Sequence, residues 1–323
     1  MKGYLGIDVG SVSTKFAMLD EEGCLLAKLY LLTEGQPVVI VQRGLRLLKE
    51  QLPLDVEIGS VVTTGSARAL AGVIVGADLV KNEITCQALG ALHYLPEVQT
   101  VIEIGGQDSK MIILRNGLVA DFGMNTVCAA GTGSFLDHQA LRLQLNHEQF
   151  AQMALSSNHA VDINARCTVF AESDMIHKQQ TGHRLEDIVY GICRALVRNY
   201  LHDVGSGREI QSPVVFQGGV AFNRGIVRAL AEELGSAVIV PENHEVLGAI
   251  GAALLGHEEM LNNKSKSKFQ GFDISEADYR ISSFTCKVCP SFCEMERLSV
   301  GEKLLTCWGG RCDLWTENAN ADN

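Results

Sequence analysis

The spacing of apolar residues changes along the chain from an alternation typical of strands to a repeat typical of helices. Residues 38–51 carry apolar side chains at helical spacing with charged residues on the opposite face, which predicts a helix. Apolar segments bounded by polar turns predict strands on both sides of it, at residues 3–9, 15–20, 24–32 and 58–64. A second helix is predicted over residues 82–95. The first hundred residues therefore predict a strand meander followed by helices and a further strand.

The same plan begins again near residue 100. Strands are predicted at residues 100–104, 110–114, 118–122, 213–217 and 237–240. Helices are predicted after Cys128, after Cys167, over residues 185–202 and from Glu245 onward. Because the plan occurs twice, the sequence predicts two similar lobes with a cleft between them, where a ligand can bind.

Changes in composition suggest the domain boundaries. The lobes are predicted at residues 1–95 and 96–256. A polar, lysine-rich run predicts a linker at residues 257–278, and the cysteine-rich segment 279–323 is predicted to be a small metal-binding tail.

Charge and hydropathy narrow the possible partners. The chain has 323 residues and a net charge of −11, which argues against nucleic acid or an anionic membrane as the main partner. Its longest apolar run, residues 246–256, is too short to span a bilayer, and the start of the chain has no secretory pattern. The expected location is the cytoplasm, where thiols stay reduced and crowded cysteines suggest metal.

The turn between the first two predicted strands has the chemistry of a phosphate site. A small-residue turn presents backbone amides and hydroxyls to an anion, and a lysine offsets its charge. The candidate phosphate-binding residues are Gly10, Ser11, Ser13, Thr14 and Lys15. Asp8, at the end of the preceding strand, is a candidate for holding Mg²⁺ through water.

Two further glycine-rich turns occupy comparable places. One holds Gly105, Gly106, Gln107 and Asp108, and the other holds Gly218, Gly219 and Asn223, where a base or ribose can lie close to the backbone. Any one of them alone is commonly just a turn. Three in order across two lobes favour a nucleotide site.

The order of these three turns resembles the phosphate-1, phosphate-2 and adenosine motifs of the actin, sugar-kinase and heat-shock-chaperone superfamily. The resemblance covers roughly residues 1–256. It implies an α/β fold of two lobes, each with a mixed central sheet flanked by helices, and ATP in the cleft. The superfamily hosts several chemistries, so this resemblance does not fix the function.

Two cysteines stand just before predicted helices, at Cys128 and Cys167. A helix N-terminus stabilises a thiolate or an anionic cluster bound to it. A 4Fe-4S cluster takes four thiolates, so a symmetric dimer would supply two from each chain. Three other cysteines, Cys24, Cys86 and Cys193, are predicted to be small buried apolar residues.

The segments around these cysteines carry a sharper resemblance. Cys128-Ala-Ala-Gly-Thr-Gly133 and Arg166-Cys-Thr-Val-Phe-Ala-Glu-Ser173 closely resemble the cluster motifs of ATP-dependent activators of 2-hydroxyacyl-CoA dehydratases and of benzoyl-CoA reductase ATPase subunits. The resemblance implies an oxygen-sensitive homodimer that binds one 4Fe-4S cluster. It also implies ATP-driven transfer of single low-potential electrons to a partner iron–sulfur enzyme, with ferredoxin or flavodoxin as donor.

Roles for individual residues follow from these resemblances. Gly131, Thr132 and Gly133 stand where the superfamily has a third phosphate-contacting loop. Asp8 and Asp108 would organise Mg²⁺ and the attacking water, and Gln107 would position that water. Because Cys128 lies just before the third loop, nucleotide turnover is expected to move a cluster ligand.

The tail has five cysteines, at positions 286, 289, 293, 307 and 312. Zinc and a 4Fe-4S cluster both take four thiolates, so the sequence leaves the metal open. The favoured ligands are Cys286, Cys289, Cys293 and Cys312, with Cys307 as an alternative. This spacing also resembles the C-terminal extension of a subset of the activators.

Two other functions compete with electron transfer. A small-molecule kinase such as a sugar kinase would need a substrate pocket with a catalytic aspartate and would have no use for paired cysteines at helix starts. A nucleotide-gated binding protein would be colourless and redox-silent. The paired cysteine segments favour electron transfer over both.

Overall fold

The computed structural model describes residues 1–53, 55–125, 128–164, 167–263 and 266–312. Its first sheet contains five strands in the order β3-β2-β1-β4-β5. The strands are β1 Lys2–Val9, β2 Ser13–Leu19, β3 Leu25–Leu32, β4 Glu57–Thr64 and β5 Leu79–Val80. β1 pairs antiparallel with β2 and parallel with β4, so the sheet is mixed.

The second sheet repeats this plan. It contains β6 Thr100–Ile104, β7 Ser109–Arg115, β8 Leu118–Asn125, β9 Val214–Gln217 and β10 Val238–Ile239. Its order is β8-β7-β6-β9-β10, with β6 antiparallel to β7 and parallel to β9. Each strand therefore has a counterpart in the first sheet, and the prediction of a duplicated, mixed α/β architecture is confirmed.

Helices cover the sheets. They are α1 Pro37–Gln51, α2 Arg68–Val75, α3 Glu83–Tyr94, α4 Gly133–Arg142, α5 His147–Ser156, α6 Thr168–Gln180, α7 Leu185–Gly205, α8 Arg224–Leu234 and α9 Leu247–Asn263. Three of them begin at asparagine caps: Asn82 accepts from the amide of Thr85, Asn146 from that of Gln149, and Asn223 from that of Gly225. In the part of the chain described, no helix is long and apolar enough to cross a membrane.

Helix α9 was predicted as part of the second lobe but packs on the sheet of the first lobe. It packs on the first sheet so closely that a Cβ atom on Gly6 would collide with the carbonyl of Ala249. Gly251 meets the backbone of Cys86 in the same way. The predicted second lobe, 96–256, therefore ends in a helix that packs with the first lobe. The predicted linker, 257–278, begins inside this helix because its polar residues continue the last turns.

The tail forms a small sheet that the sequence analysis did not predict. Strands β11 Tyr279–Thr285, β12 Glu294–Val300 and β13 Lys303–Trp308 pair antiparallel in that order. Both faces of these strands carry polar residues, so the alternation of apolar and polar residues that predicts a strand is weak here. The rest of the predicted tail, residues 313–323, lies outside the described residues, as does Arg166 of the second cysteine motif.

Candidate functional site

A polar cleft lies between the lobes, where the turns after β1 and β6 face each other. Most of the residues predicted to bind or act on the nucleotide line it. They are Asp8, Gly10, Ser11, Ser13, Lys15, Gly105, Gly106, Gln107, Asp108, Gly218 and Gly219. The structure thus brings the three turns together, while their individual roles stay predictions.

The first turn is held tightly. The amide of Gly10 donates to the carbonyl of Ser13 at 3.0 Å, and a Cβ on Gly10 would lie 2.9 Å from that oxygen. Across the strand pair, Lys15 Nζ lies 3.3 Å from Asp8 Oδ2. Burial lowers the pKa of Lys15, but Asp8 and neighbouring acidic groups outweigh it, so the net pKa is raised. Lys15 therefore stays charged in the cleft.

The second turn carries a buried charge cluster. The Lys110 side chain is 2% exposed, and its Nζ atom lies 3.0 Å from Glu103, 3.0 Å from Asp108 and 3.4 Å from Glu83. Burial lowers the pKa of Lys110, but the three carboxylates outweigh it and raise it above its ordinary value. Burial raises the pKa of Glu103, and Lys110 opposes this shift. The cluster fixes the turn that carries Gln107.

The third turn requires glycine. Gly218 has a φ of +91°, and a Cβ atom there would lie 2.7 Å from the carbonyl oxygen of Ile104. The amide of Gly218 donates to the carbonyl of His244 at 2.9 Å, and a ring nitrogen of His244 lies 3.1 Å from the Gly218 carbonyl. Burial lowers the pKa of His244. The imidazole thus holds the turn beside the cleft.

Five predicted contact residues do not line the polar cleft: Thr14, Gly131, Thr132, Gly133 and Asn223. The hydroxyl of Thr14 is buried against Thr33, 2.9 Å away, and that of Thr132 donates to the carbonyl of Ala129. Gly131 packs on Tyr200. The hydroxyls of Thr14 and Thr132 are hydrogen-bonded to other protein groups, and neighbouring turn residues line the cleft instead. Asn223 caps α8 by accepting from the amide of Gly225 at 2.9 Å.

A larger and more apolar cavity of about 760 Å³ adjoins the polar cleft. Both are lined by Val12, Tyr30, Gly105, Gly106 and Gly219, so they are continuous. Among the predicted residues, Gly133 and Asn223 line this second cavity.

The phosphate turn of the second lobe is bonded directly to helix α4. The amide of Gly133 donates to the carbonyl of Gly105, and that of Ser134 to the carbonyl of Gly106, both at 2.8 Å. The Ser134 hydroxyl donates to the same Gly106 oxygen at 2.5 Å. The Thr132 side chain does not cap α4, and the Ser134 side chain bonds to the phosphate turn instead.

Cys128 and Cys167 are both partly exposed. Cys128 begins the short 3₁₀ turn Ala129–Gly131, and Cys167 begins α6, as predicted. Asn125 brackets Cys128: its side chain accepts from the Cys128 amide at 3.0 Å and donates to the Cys128 carbonyl at 2.8 Å. Val169 and Phe170, in the first turn of α6, are 68% and 67% exposed.

The other three scattered cysteines differ in burial. Cys86 and Cys193 are fully buried, which confirms their predicted packing role. Cys24 is exposed, so its predicted burial is wrong. It follows the turn that Asp20 closes by accepting from the Cys24 amide at 2.7 Å, which leaves the side chain at the surface.

Glu83, Glu103 and Lys110 line the cleft but were not predicted as site residues. A signal was available for two of them. Lys15 lies opposite Asp8 in the β1–β2 register, and Lys110 lies opposite Glu103 in the β6–β7 register. Because the lobes are duplicates, Glu103 and Lys110 are the second-lobe counterparts of Asp8 and Lys15. Glu83, at the start of α3, carries no comparable signal.

Two duplicated lobes with facing phosphate turns define a nucleotide-binding protein of the actin-like class. The chain belongs to the BadF/BadG/BcrA/BcrD ATPase family, whose model matches residues 5–256. The Cys-rich tail lies beyond that match.

Named relatives agree with this membership. The chain is 36% identical to the 2-hydroxyisocaproyl-CoA dehydratase activator of Clostridioides difficile, over 82% of this chain and 98% of that protein. It is 37% identical to the (R)-2-hydroxyglutaryl-CoA dehydratase activating ATPase of Acidaminococcus fermentans, over 79% and 97%. A solved structure of the 2-hydroxyisocaproyl-CoA dehydratase activator from Clostridium difficile, with bound ADPNP, superposes with a TM-score of 0.73 and 35% identity, covering 81% of this chain and 97% of that one.

Proposed function

We propose that this protein hydrolyses ATP and uses that reaction to pass single low-potential electrons from a 4Fe-4S cluster, shared by two copies of the chain, to a partner iron–sulfur enzyme. The observation that carries the proposal is the hydrogen-bonded contact between the phosphate turn Gly105–Gly106 and the start of α4, just after Cys128. The names of the relatives, which are activators and an activating ATPase, support the same role.

The charges in the cleft favour a nucleotide that arrives with a cation. Five carboxylates line it, from Asp8, Glu83, Glu103, Asp108 and Glu245, against two ammonium groups, Lys15 and Lys110. A bare triphosphate would be repelled by this excess of negative charge. Asp8 and Asp108 offer the oxygen ligands that Mg²⁺ prefers, and when bound this ion would neutralise phosphate charge.

Hydrolysis needs an oriented water as well as neutralised phosphates. Gln107 lies on the same turn as Asp108 and lines the cleft, and in this proposal its side-chain amide holds the attacking water. The amides of the first turn and Lys15 would hold the phosphates. The adjoining apolar cavity would take the adenosine, since a purine buries apolar surface.

The environment of Cys128 and Cys167 fits an iron–sulfur cluster at a two-fold axis. Both thiols are partly exposed, and no side chain caps the first-turn amides of α6 within the described residues. Val169 and Phe170 expose apolar surface beside Cys167, which a second copy would cover. When bound, a 4Fe-4S cluster would supply a one-electron couple at this interface.

Two routes connect the nucleotide cleft to Cys128. One runs from Gly106 to Ser134 and α4. The other runs from Lys110, whose carbonyl accepts from the Tyr200 hydroxyl at 2.8 Å, to Gly131, which packs on Tyr200. A change at the phosphate turn would therefore shift the segment that carries Cys128. ATP and water are consumed and ADP and phosphate released, while the donor loses one electron and the acceptor gains one.

The acceptor class is inferred from the relatives. We expect an enzyme of the 2-hydroxyacyl-CoA dehydratase or benzoyl-CoA reductase type, and ferredoxin or flavodoxin as donor. The reduction of such an acceptor needs a one-electron couple of low potential, which is what ATP hydrolysis would help to drive.

The proposal predicts iron that depends on Cys128. Protein purified without oxygen should be brown, with about two iron atoms per chain because two chains share one four-iron cluster. Cys128→Ala should lose this iron and colour, and Cys24→Ala, an exposed cysteine outside the site, should keep both. Absorption spectra and iron analysis measure this. A colourless, iron-free wild type would refute electron transfer and leave a kinase or nucleotide switch.

The contact between the phosphate turn and α4 can be tested separately with Ser134→Ala. This substitution removes the hydroxyl that donates to the Gly106 carbonyl and keeps the hydrogen bond from the Ser134 amide to the same oxygen. We expect ATP hydrolysis to fall less than about tenfold, since one neutral hydrogen bond contributes about 1 kcal/mol. The effect of ATP on the rate at which a chelator removes iron should shrink much more. Ser156→Ala, at the end of α5, is the matched control. An unchanged ATP effect in Ser134→Ala would exclude this route.

A further inference from the structure

The tail is fixed to the first lobe by specific contacts. The Gln42 side-chain amide on α1 donates to the carbonyl of Ala277 at 2.8 Å and to that of Ile274 at 3.2 Å. The Tyr279 hydroxyl donates to the carbonyl of Ile74 at 3.3 Å. Leu298, in the middle strand, is fully buried in the core of that lobe. One face of the small sheet is therefore occupied by the lobe.

Four loop cysteines collect at one end of this sheet. Cys286 directly follows β11, and Cys293 directly precedes β12. Cys289 lies in the loop between them, and Cys312 follows the end of β13. In an antiparallel sheet these three strand ends lie at the same end. The Cys286 amide donates to the Cys293 carbonyl at 2.9 Å and closes the loop.

The turns at this end of the tail sheet are tight, as turns that hold metal-bound cysteines need to be. Phe292 has a φ of +42°, and Gly309 a φ of +97°, with a Cβ there 2.5 Å from the carbonyl of Glu294. Both turns bring the backbone close together at the strand ends that carry the cysteines.

Cys307 has a different environment. It lies inside β13 opposite Arg297, is 2% exposed, and packs with Cys286 and Met295. A buried thiol that is held within a strand packs as a small apolar side chain beneath the loops.

The tail sheet also lacks a substantial core of its own. The buried side chains of its described strands and loops are Cys286, Met295, Leu298 and Cys307. Small modules with so little buried apolar surface generally need a metal or disulfides for stability. Meanwhile Val288 and Phe292 are 64% and 60% exposed in the cysteine loop, an arrangement that leaves the loop poorly packed by apolar contacts alone.

We propose that Cys286, Cys289, Cys293 and Cys312 bind one Zn²⁺ as four thiolates and so staple the end of the tail sheet. Four thiolates form a closed structural zinc site, and binding releases the thiol protons to solvent. The exposed side chains of Cys289 and Cys312 turn toward Cys286 and Cys293 on binding, because the described residues hold no preassembled group of three ligands. This site is independent of the proposed electron transfer.

The test is metal analysis of the full-length protein, purified without oxygen or chelators. Wild type should carry about one zinc per chain, as one closed tetrathiolate site requires. Cys289→Ser and Cys312→Ser replace exposed side chains, so the fold should persist while zinc falls about tenfold or more. Cys307→Ser and Cys24→Ser should retain zinc. Cys128→Ala should also retain zinc while it loses iron, which separates this site from the proposed cluster.

Several results would overturn the proposal. These are a wild type without zinc, zinc that survives both exposed-cysteine substitutions, or iron rather than zinc that disappears with Cys289→Ser. Loss of zinc in Cys307→Ser would overturn the ligand set. As a second readout, Co²⁺ bound to the zinc-free protein should give a thiolate-to-metal charge-transfer band that Cys289→Ser weakens and Cys307→Ser keeps.

Discussion

Replacing Asp8 with asparagine should reduce the rate of ATP hydrolysis on the order of 10²- to 10³-fold, the typical cost of removing one preorganised electrostatic contact in an active site. Asparagine keeps the size of the side chain and removes its charge. Because the proposed role of Asp8 is to hold Mg²⁺ through water, the loss should fall on turnover more than on nucleotide affinity.

The surroundings of Asp8 explain why this residue should be hard to replace. Its side chain is 6% exposed and faces Lys15 across the strand pair. A Cβ atom on Gly65 would lie 2.5 Å from one carboxylate oxygen, and one on Gly248 would lie 2.9 Å from the other. The backbone at Gly65 and Gly248 therefore closes around the carboxylate from two sides.

Phosphate release by anaerobic protein, with nucleotide binding measured separately, tests the prediction. Asp55→Asn is the matched control, since Asp55 belongs to the same lobe but its side chain is 79% exposed. Asp55→Asn should hydrolyse ATP at the wild-type rate. If Asp8→Asn does the same, the assignment of Asp8 to the reaction is wrong.

Much of the fold was predictable because the chain repeats itself. The apolar runs of β1, β6 and β9 are continuous and buried, so their strands were found within one or two residues. The glycine turns that follow them predicted the cleft. A local pattern of apolar and polar residues does not show which distant elements of the chain pack together. The return of α9 to the first sheet depends on contacts between Gly6 and Ala249, which no local window of sequence reveals.

The site was predicted less completely than the fold. Turn glycines are recognisable because few residues adopt their conformations, whereas the roles of threonines depend on rotamers. Thr14 therefore looked like a phosphate ligand and instead bonds to Thr33. The charge cluster was missed because its members come from β6, β7 and α3. Only the register of the paired strands places Lys110 opposite Glu103.

The buried cluster gives the second large prediction. Lys110→Met should lower the free energy of unfolding by about 3 to 5 kcal/mol at neutral pH, the usual cost of removing one partner from a buried ion pair. Methionine fills similar space, so the loss is mainly electrostatic. Glu103, Asp108 and Glu83 would then face one another without the ammonium group that lies 3.0 to 3.4 Å from them.

The loss should depend on pH in a defined direction. Burial already raises the pKa of Glu103, and Lys110 opposes that shift. Without Lys110 the folded-state pKa rises further above its unfolded value of about 4.3. The folded variant then binds a proton that the unfolded chain releases, so its stability falls as pH rises through the folded-state pKa. The deficit relative to wild type should be smaller near pH 5 than near pH 8.

Urea unfolding of the nucleotide-free protein, followed by circular dichroism at both pH values, measures the effect. Lys49→Met is the matched control: its Nζ atom also lies 3.3 Å from an acid, Asp273, but the pair is exposed and should contribute less than about 1 kcal/mol. Lys110→Met with Glu103→Gln should recover part of the loss, because it removes one unpaired carboxylate. If Lys110→Met is not destabilised more at high pH than at low pH, or if the double variant recovers no stability, then Lys110 does not stabilise the second phosphate turn through its charge.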